Sequence, residues 1–193
     1  MLPQFRLRTA LPADIPALHD LIASSVRGLM TASYSEQQLE AALGLWLGVD
    51  SRLVDDGTYF IVENANAEAS GTQLLVGCGG WSKRKTPYGS DHRPDREDAL
   101  LDPTVDAAKI RAFFVHPDWA RRGIGALILE HCERAALNAG FRRCEMGATL
   151  SGVPFYRSRG YQSTEQIELP LPTGGTLPIL KMVKDLSDSD NRK

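Results

Sequence analysis

The sequence predicts a single mixed α/β domain of the α+β kind, and three observations lead there. The 193 residues, 42% hydrophobic and 24% charged, suffice for one domain with its own core. Segments with period-two and helical apolar patterns follow one another as strand, two helices, several strands, helix, strand, helix and two strands. No internal repeat and no linker-like break divides them, so residues 1–186 read as one domain and SDSDNRK, residues 187–193, as a frayed tail.

Each element has a local reason. QFRLRTA opens as a strand with Phe5 and Leu7 on one face. Asp14 is expected to cap a helix that tolerates Pro16 in its first turn and carries Ile15, Leu18, Ile22 and Leu29 on one side. Ser35 and Gln38 have capping-box spacing for a second helix, whose stripe is Leu39, Leu43, Trp46 and Leu47. TYFIVENA and TQLLVGCGGWS read as strands around a polar NANAEASG turn. The polar, Pro-rich stretch from Lys83 to Asp106 has no period, and a loop this long in a compact domain is usually functional or mobile.

AKIRAFFVHP follows as a buried central strand ended by Pro117. A helix comes next with Leu127, Ile128, His131 and Ala135 at helical spacing and Gly140 as its left-handed cap. RRCEMGATL is another strand. SGVPFYRSRGY is a short helix, with Ser151 as the expected cap and Gly160 closing it. The last two strands form a hairpin around Thr173-Gly174-Gly175.

Composition excludes several function classes. A net charge of −2 gives no footprint for nucleic acid or an anionic membrane. No apolar run reaches the roughly 18 residues of a membrane span, and the first residues lack a secretion signal. Cys78, Cys132 and Cys144 lack metal-ligand spacing and read as buried free thiols in a reducing cytoplasm, so no metal is expected.

Gly123 and Gly125, beside Arg121 and Arg122, stand where a helix begins, although glycine there costs about 1 kcal/mol relative to alanine. The first four amides of a helix are unpaired and its dipole adds positive charge, so such an end binds phosphate if the ligand can approach the backbone. The arginines add charge to the same place. A Walker loop would need Lys-Ser or Lys-Thr after the last glycine, and a Rossmann fingerprint a small residue at position 128, which is Ile128. A tight strand-to-helix connection with solvated arginines is the structural alternative.

FFVHPDWARRGIGALIL resembles the acyl-CoA signature of the GNAT superfamily of N-acetyltransferases: Arg or Gln, two residues, Gly, any residue, then Gly or Ala. Gly123 and Gly125 match the glycines, whereas the first position falls on Ala120. FYRSRGY, Phe155 to Tyr161, matches the later aromatic motif of that family. The resemblance covers the chain from about Phe5 to Lys184 and implies a mixed, mostly antiparallel central sheet flanked by about four helices.

It also implies an enzyme that moves an acetyl group from acetyl-CoA to a primary amine by direct attack. Phe113, Phe114 and Val115 would offer backbone bonds to the pantetheine arm. Arg121, Arg122, Gly123, Ile124, Gly125 and Ala126 would wrap the pyrophosphate. Tyr156 matches the tyrosine that protonates the departing thiolate, a role suited to a phenol that stays protonated at neutral pH; its alternative is a core aromatic beside Phe155. A small-molecule amine is the expected acceptor, a peptide or protein amine the alternative, and the protein a monomer or homodimer.

No base is evident. The strand position some relatives give to glutamate is Lys109, and residues 109 to 115 contain no carboxylate. Glu145, His116 or a loop carboxylate could act through water, although His116 reads as structural before Pro117. Acceptor choice should rest on residues 27 to 35 and the loop 82 to 105, where Trp81 and Tyr88 could stack on a ligand but more often pack. Two rival functions are a non-catalytic acyl-CoA-binding sensor, disfavoured by the intact FYRSRGY, and a nucleotide-dependent oxidoreductase, disfavoured by the missing third glycine.

Overall fold

The computed structural model describes residues 5–65 and 74–186. Most of the expected NANAEASG turn and the expected 187–193 tail lie outside those residues. Strand β1 (Phe5–Thr9) leads through a 3-10 turn, Pro12–Asp14, to α1 (Ile15–Leu29). Helix α2 (Glu36–Ala42) and the five-residue α3 (Ser51–Asp55) follow. Then come β2 (Tyr59–Asn64), β3 (Leu75–Ser82) and β4 (Ala108–Val115). The rest is α4 (Ile124–Asn138), β5 (Arg143–Thr149), α5 (Val153–Ser158), β6 (Gln162–Pro170) and β7 (Thr176–Asp185). Helix α3 was not expected.

Among the described residues the strands form one sheet in the order β1-β2-β3-β4-β5-β7-β6. Every neighbouring pair is antiparallel except β4 and β5. That parallel pair meets only at Ala108 with Cys144 and Lys109 with Glu145, and beyond it the strands separate. The sheet is covered on both sides, as the alternation of β2 shows. Tyr59 and Ile61 join Leu18, Ile22 and Leu39 under α1 and α2. Phe60 and Val62 join Ile128, Cys132 and Phe141 under α4. Fully burying an Ile or Leu side chain contributes about 1.5–3 kcal/mol, so these two layers hold the sheet.

The helix ends test the capping logic. Ser35 Oγ accepts the Gln38 amide and Gln38 Oε1 accepts the Ser35 amide, closing the expected box. Gly140 (φ 96°) and Gly160 (φ 90°) end α4 and α5 in the left-handed region, as expected. Two expected caps do not form. Asp14 accepts instead from the Leu11 amide at 2.7 Å and from both terminal nitrogens of Arg8, because the 3-10 turn places its carboxylate toward β1. Ser151 shares a hydrogen with Thr149 Oγ1, and Gly152 occupies the cap position of α5. The predicted stripe of α2 stops at Ala42, since residues 43–47 turn back and a bridge pairs Leu43 with Leu47. Leu29, expected on the core face of α1, is exposed at the helix end. On α4 the buried stripe is Ile124, Ile128, Leu129, Cys132 and Ala136, so only Ile128 of the four expected residues is fully enclosed.

Candidate active site

The separation of β4 and β5 opens a cavity of about 780 Å³ between them. Two irregularities shape its β4 wall. Between Arg111, opposite Gly80, and Phe114, opposite Cys78, β4 carries one residue too many, which makes a bulge with Ala112 at φ 53°. A left-handed non-glycine residue costs about 1–2 kcal/mol. The bulge is anchored: the Ala112 carbonyl lies 3.2 Å from the Tyr59 hydroxyl and 3.7 Å from Cys78 Sγ. Burial pushes the Cys78 thiol up to about 12, so it stays neutral. Gly79 makes room for the ring of Phe113, since a Cβ there would come within 2.6 Å of it.

The α4 end forms the second wall. After the 3-10 turn Pro117–Trp119, Arg121 (φ 64°) and Gly123 (φ 84°) both adopt left-handed backbone and bend the chain into the helix. Leu127 makes the first bond of the helix, to the Gly123 carbonyl, so the amides before it have no carbonyl in the helix to bind. No side chain caps this end. It therefore presents free donors and the positive end of the dipole to the cavity, a surface that fits a pyrophosphate. Gly125 has a further reason to be glycine: a Cβ there would lie 3.3 Å from Phe155 Cζ on α5.

The cavity collects most, but not all, of the residues singled out in the sequence. Phe113, Phe114, Val115, Arg121, Gly123, Gly125, Ala126 and Tyr156 line it, as does Ala120, the departure from the signature. Arg122 does not; its guanidinium stacks on the Trp119 ring at 4.7 Å. The Ile124 side chain does not either, being buried in the core against Gly77. The Val115 amide already donates to Ser25 Oγ at 3.2 Å, so a ligand bond there would have to displace that hydroxyl.

Tyr156 is buried within an aromatic group, with ring centroids 5.0 Å from Phe155, 5.8 Å from Tyr161 and 6.3 Å from Phe113. Burial raises its pKa above the ordinary phenol value, so the hydroxyl keeps its proton across the physiological range. The two titratable groups considered as bases lie elsewhere. Glu145 is held by Lys109 Nζ at 2.6 Å at the closed end of the strand pair. His116 Nδ1 accepts the Asp118 amide and caps the 3-10 turn, the structural role expected of it. Of the two aromatics weighed for the acceptor, Tyr88 lines the cavity, packed on Gly147, whereas Trp81 is a core residue against Phe141.

Sequence reasoning missed the wall facing α1. Ser25, Trp46 and Arg111 line the cavity there, and Arg159 borders it on the α5 side. A signal was available for Arg111: a guanidinium inside the apolar run IRAFF needs a buried partner. That partner is Asp50, fully enclosed, with Oδ2 2.8 Å from Arg111 Nη2 and Oδ1 2.9 Å from Arg96 Nη2.

Among the described residues no helix is long and apolar enough to cross a membrane, and no group of three or more His, Cys, Asp and Glu is placed to hold a metal ion. No curated protein matches the chain in sequence. Solved structures do match it in shape. A GCN5-related N-acetyltransferase from Rhodopseudomonas palustris superposes with a TM-score of 0.67 at 21% identity, covering 96% of this chain and 98% of its own. The PaiA N-acetyltransferase of Thermoplasma acidophilum, solved with coenzyme A, gives 0.62 at 14% identity over 94% and 98%. A spermidine N-acetyltransferase chimera from Vibrio cholerae and hSSAT gives 0.61 at 13% identity over 98% and 99%. At such identities these neighbours show the shared fold. The model of the acetyltransferase (GNAT) domain matches residues 55–163, more than half of the chain, so this protein belongs to the GNAT acetyltransferase family.

Proposed function

We propose that the chain transfers the acetyl group of acetyl-CoA to a primary amine of a small molecule by direct attack, within the cleft between β4 and β5. One observation carries the reading: the uncapped start of α4 and the Tyr156 hydroxyl's ring line the same 780 Å³ cavity. The α4 amides from Gly123 to Ala126, with Arg121, hold the pyrophosphate, while Phe113 and Phe114 border the pantetheine arm. The neutral amine nitrogen bonds to the carbonyl carbon, the C–S bond breaks, and the sulfur leaves with the electron pair. Tyr156 donates a hydrogen bond to that sulfur. Its raised pKa makes a lasting buried phenolate costly, so any proton it gives is replaced promptly from solvent.

Among the described residues the cleft is lined by no carboxylate and no histidine. The ammonium therefore loses one proton to water before attack, and the adduct nitrogen loses its second to water as the C–S bond breaks, which leaves a neutral amide. The same observation favours a second reading, a domain that binds acyl-CoA without turnover. Incubation with acetyl-CoA and an amine panel, following thiol release and product mass, separates the two. Acetylated product supports transfer; tight acetyl-CoA binding with no product from any amine supports the sensor.

A further inference from the structure

Among the described residues the wall of the cleft facing α1 presents no carboxylate to the cavity. The ionisable side chains lining the cavity, among the described residues, are Arg111, Arg121, Arg159, Tyr88 and Tyr156. Arg121 and Arg159 belong to the α4–α5 side. Arg111 lies on the other, with its side chain 2% exposed. Its Nη2 donates to the Gly89 carbonyl at 2.7 Å and meets Asp50, but its Nε is buried without an acceptor. Asp50 is shared with Arg96, which also meets Asp91 and Asp98 at the surface. A third guanidinium, Arg93, sits 4.8 Å from the Tyr88 ring centroid and 5.7 Å from that of Trp46. Its charge is met by the Tyr88 carbonyl, and its Nε too is buried without an acceptor. Desolvation, reinforced by Arg96 and Arg93 against the pull of Asp50, draws the Arg111 pKa down to about 10.

We infer that the acceptor carries a carboxylate on the same molecule as its amine, held by Arg111, with its apolar body against Trp46 and Tyr88; this rests on reading the cleft as the acetyl-transfer site. A carboxylate supplies the acceptor that Arg111 Nε lacks and forms the strong, charge-assisted bond guanidinium groups favour. A polyamine meets the opposite situation. Its second ammonium would meet Arg111 on the acceptor side of the cleft and, among the described residues, no carboxylate in the lining to receive it.

The test uses the full chain and two readouts. Calorimetry compares a series of simple acids (acetate, propionate, 3-phenylpropionate) with their primary amides, with and without acetyl-CoA. The 3-phenylpropionate anion should bind at least tenfold more tightly than its amide. No acid of the series binding better than its amide overturns the inference. Thiol release then compares phenylalanine with 2-phenylethylamine and with a linear triamine. At least tenfold higher kcat/KM for the carboxylate-bearing amine is expected, and a preference for the triamine overturns the inference. Tighter binding of the acid with no turnover of any amine leaves the anion site standing and removes the transfer reading instead. Arg111→Lys keeps a charge for Asp50 but loses the fork, and should cut the acid-to-amide ratio at least fivefold with acetyl-CoA affinity retained. Arg93→Gln, which leaves the Asp50 pair intact, should lower the ratio in the same direction by less. An unchanged ratio in the folded variants places the anion elsewhere and overturns the assignment.

Discussion

The two walls of the cleft are built in different ways. The α4–α5 wall comes from two short continuous stretches, residues 120–126 and 151–159, the first of them bent by left-handed Arg121 and Gly123 into the free amides of α4. The α1 wall is assembled from Ser25, Trp46, Tyr88 and Arg111, far apart in sequence and held by a buried ion cluster around Asp50. A wall made of local backbone survives side-chain changes that leave its dihedrals alone. A wall made of distant side chains depends on each partner being present.

The largest effect should follow from breaking the second kind of wall. Asp50→Ala leaves Arg111 buried beside two other arginines, and removing one partner of a buried pair costs about 3–5 kcal/mol. Thermal melting should fall by roughly 6–20 °C for a chain of this size. A shift within 2 °C would show that the cluster does not hold the wall.

Next comes chemistry on the first wall. Tyr156→Phe removes one hydroxyl and little volume, so folding and acetyl-CoA binding should hold while kcat falls roughly 10²-fold. Tyr161→Phe is the control, since Tyr161 is a core ring next to Tyr156, and its turnover should stay near wild type. Equal small effects at both would make Tyr156 a packing residue.

Smaller effects distinguish positions within the α4 end. Gly125→Glu puts a negative charge beside free amides and presses on Phe155, and should weaken acetyl-CoA binding at least tenfold, about 1.4 kcal/mol. Arg122→Ala should change that affinity less than about twofold, roughly 0.4 kcal/mol, because the guanidinium rests on Trp119 outside the cavity. Arg121→Ala should weaken binding more than Arg122→Ala does; the reverse order, by titration calorimetry, would mean that Arg122 turns inward when ligand binds.

What could be read from sequence follows the same division. The strand-to-helix turn at Gly123, the caps at Gly140 and Gly160 and the Ser35 box are contacts within a few residues, and local pattern reveals them. The Asp14 and Ser151 caps failed because groups on the preceding residues, Arg8 and the Leu11 amide for Asp14 and Thr149 for Ser151, engage those side chains instead. Trp46 was assigned to a helical stripe, yet the chain turns at Leu43 and delivers its ring to the cleft. Nothing local announces that Ser25, Trp46 and Arg111 converge. The family match itself begins at residue 55, so α1, α2 and Trp46 lie outside it.

The strand order has a consequence for synthesis. Strand β7, the last to be made of the seven described, lies between β5 and β6, pairing Arg143–Thr149 on one side and Gln162–Pro170 on the other. While the chain is being translated, β5 has only its two-residue contact with β4, and β6 has no neighbour at all. Both wait on the ribosome for residues 176–185 to emerge. A stop or frameshift just before Thr176 would not trim an edge; it would leave two strands with open backbone, a form suited to aggregation and to early removal by quality control.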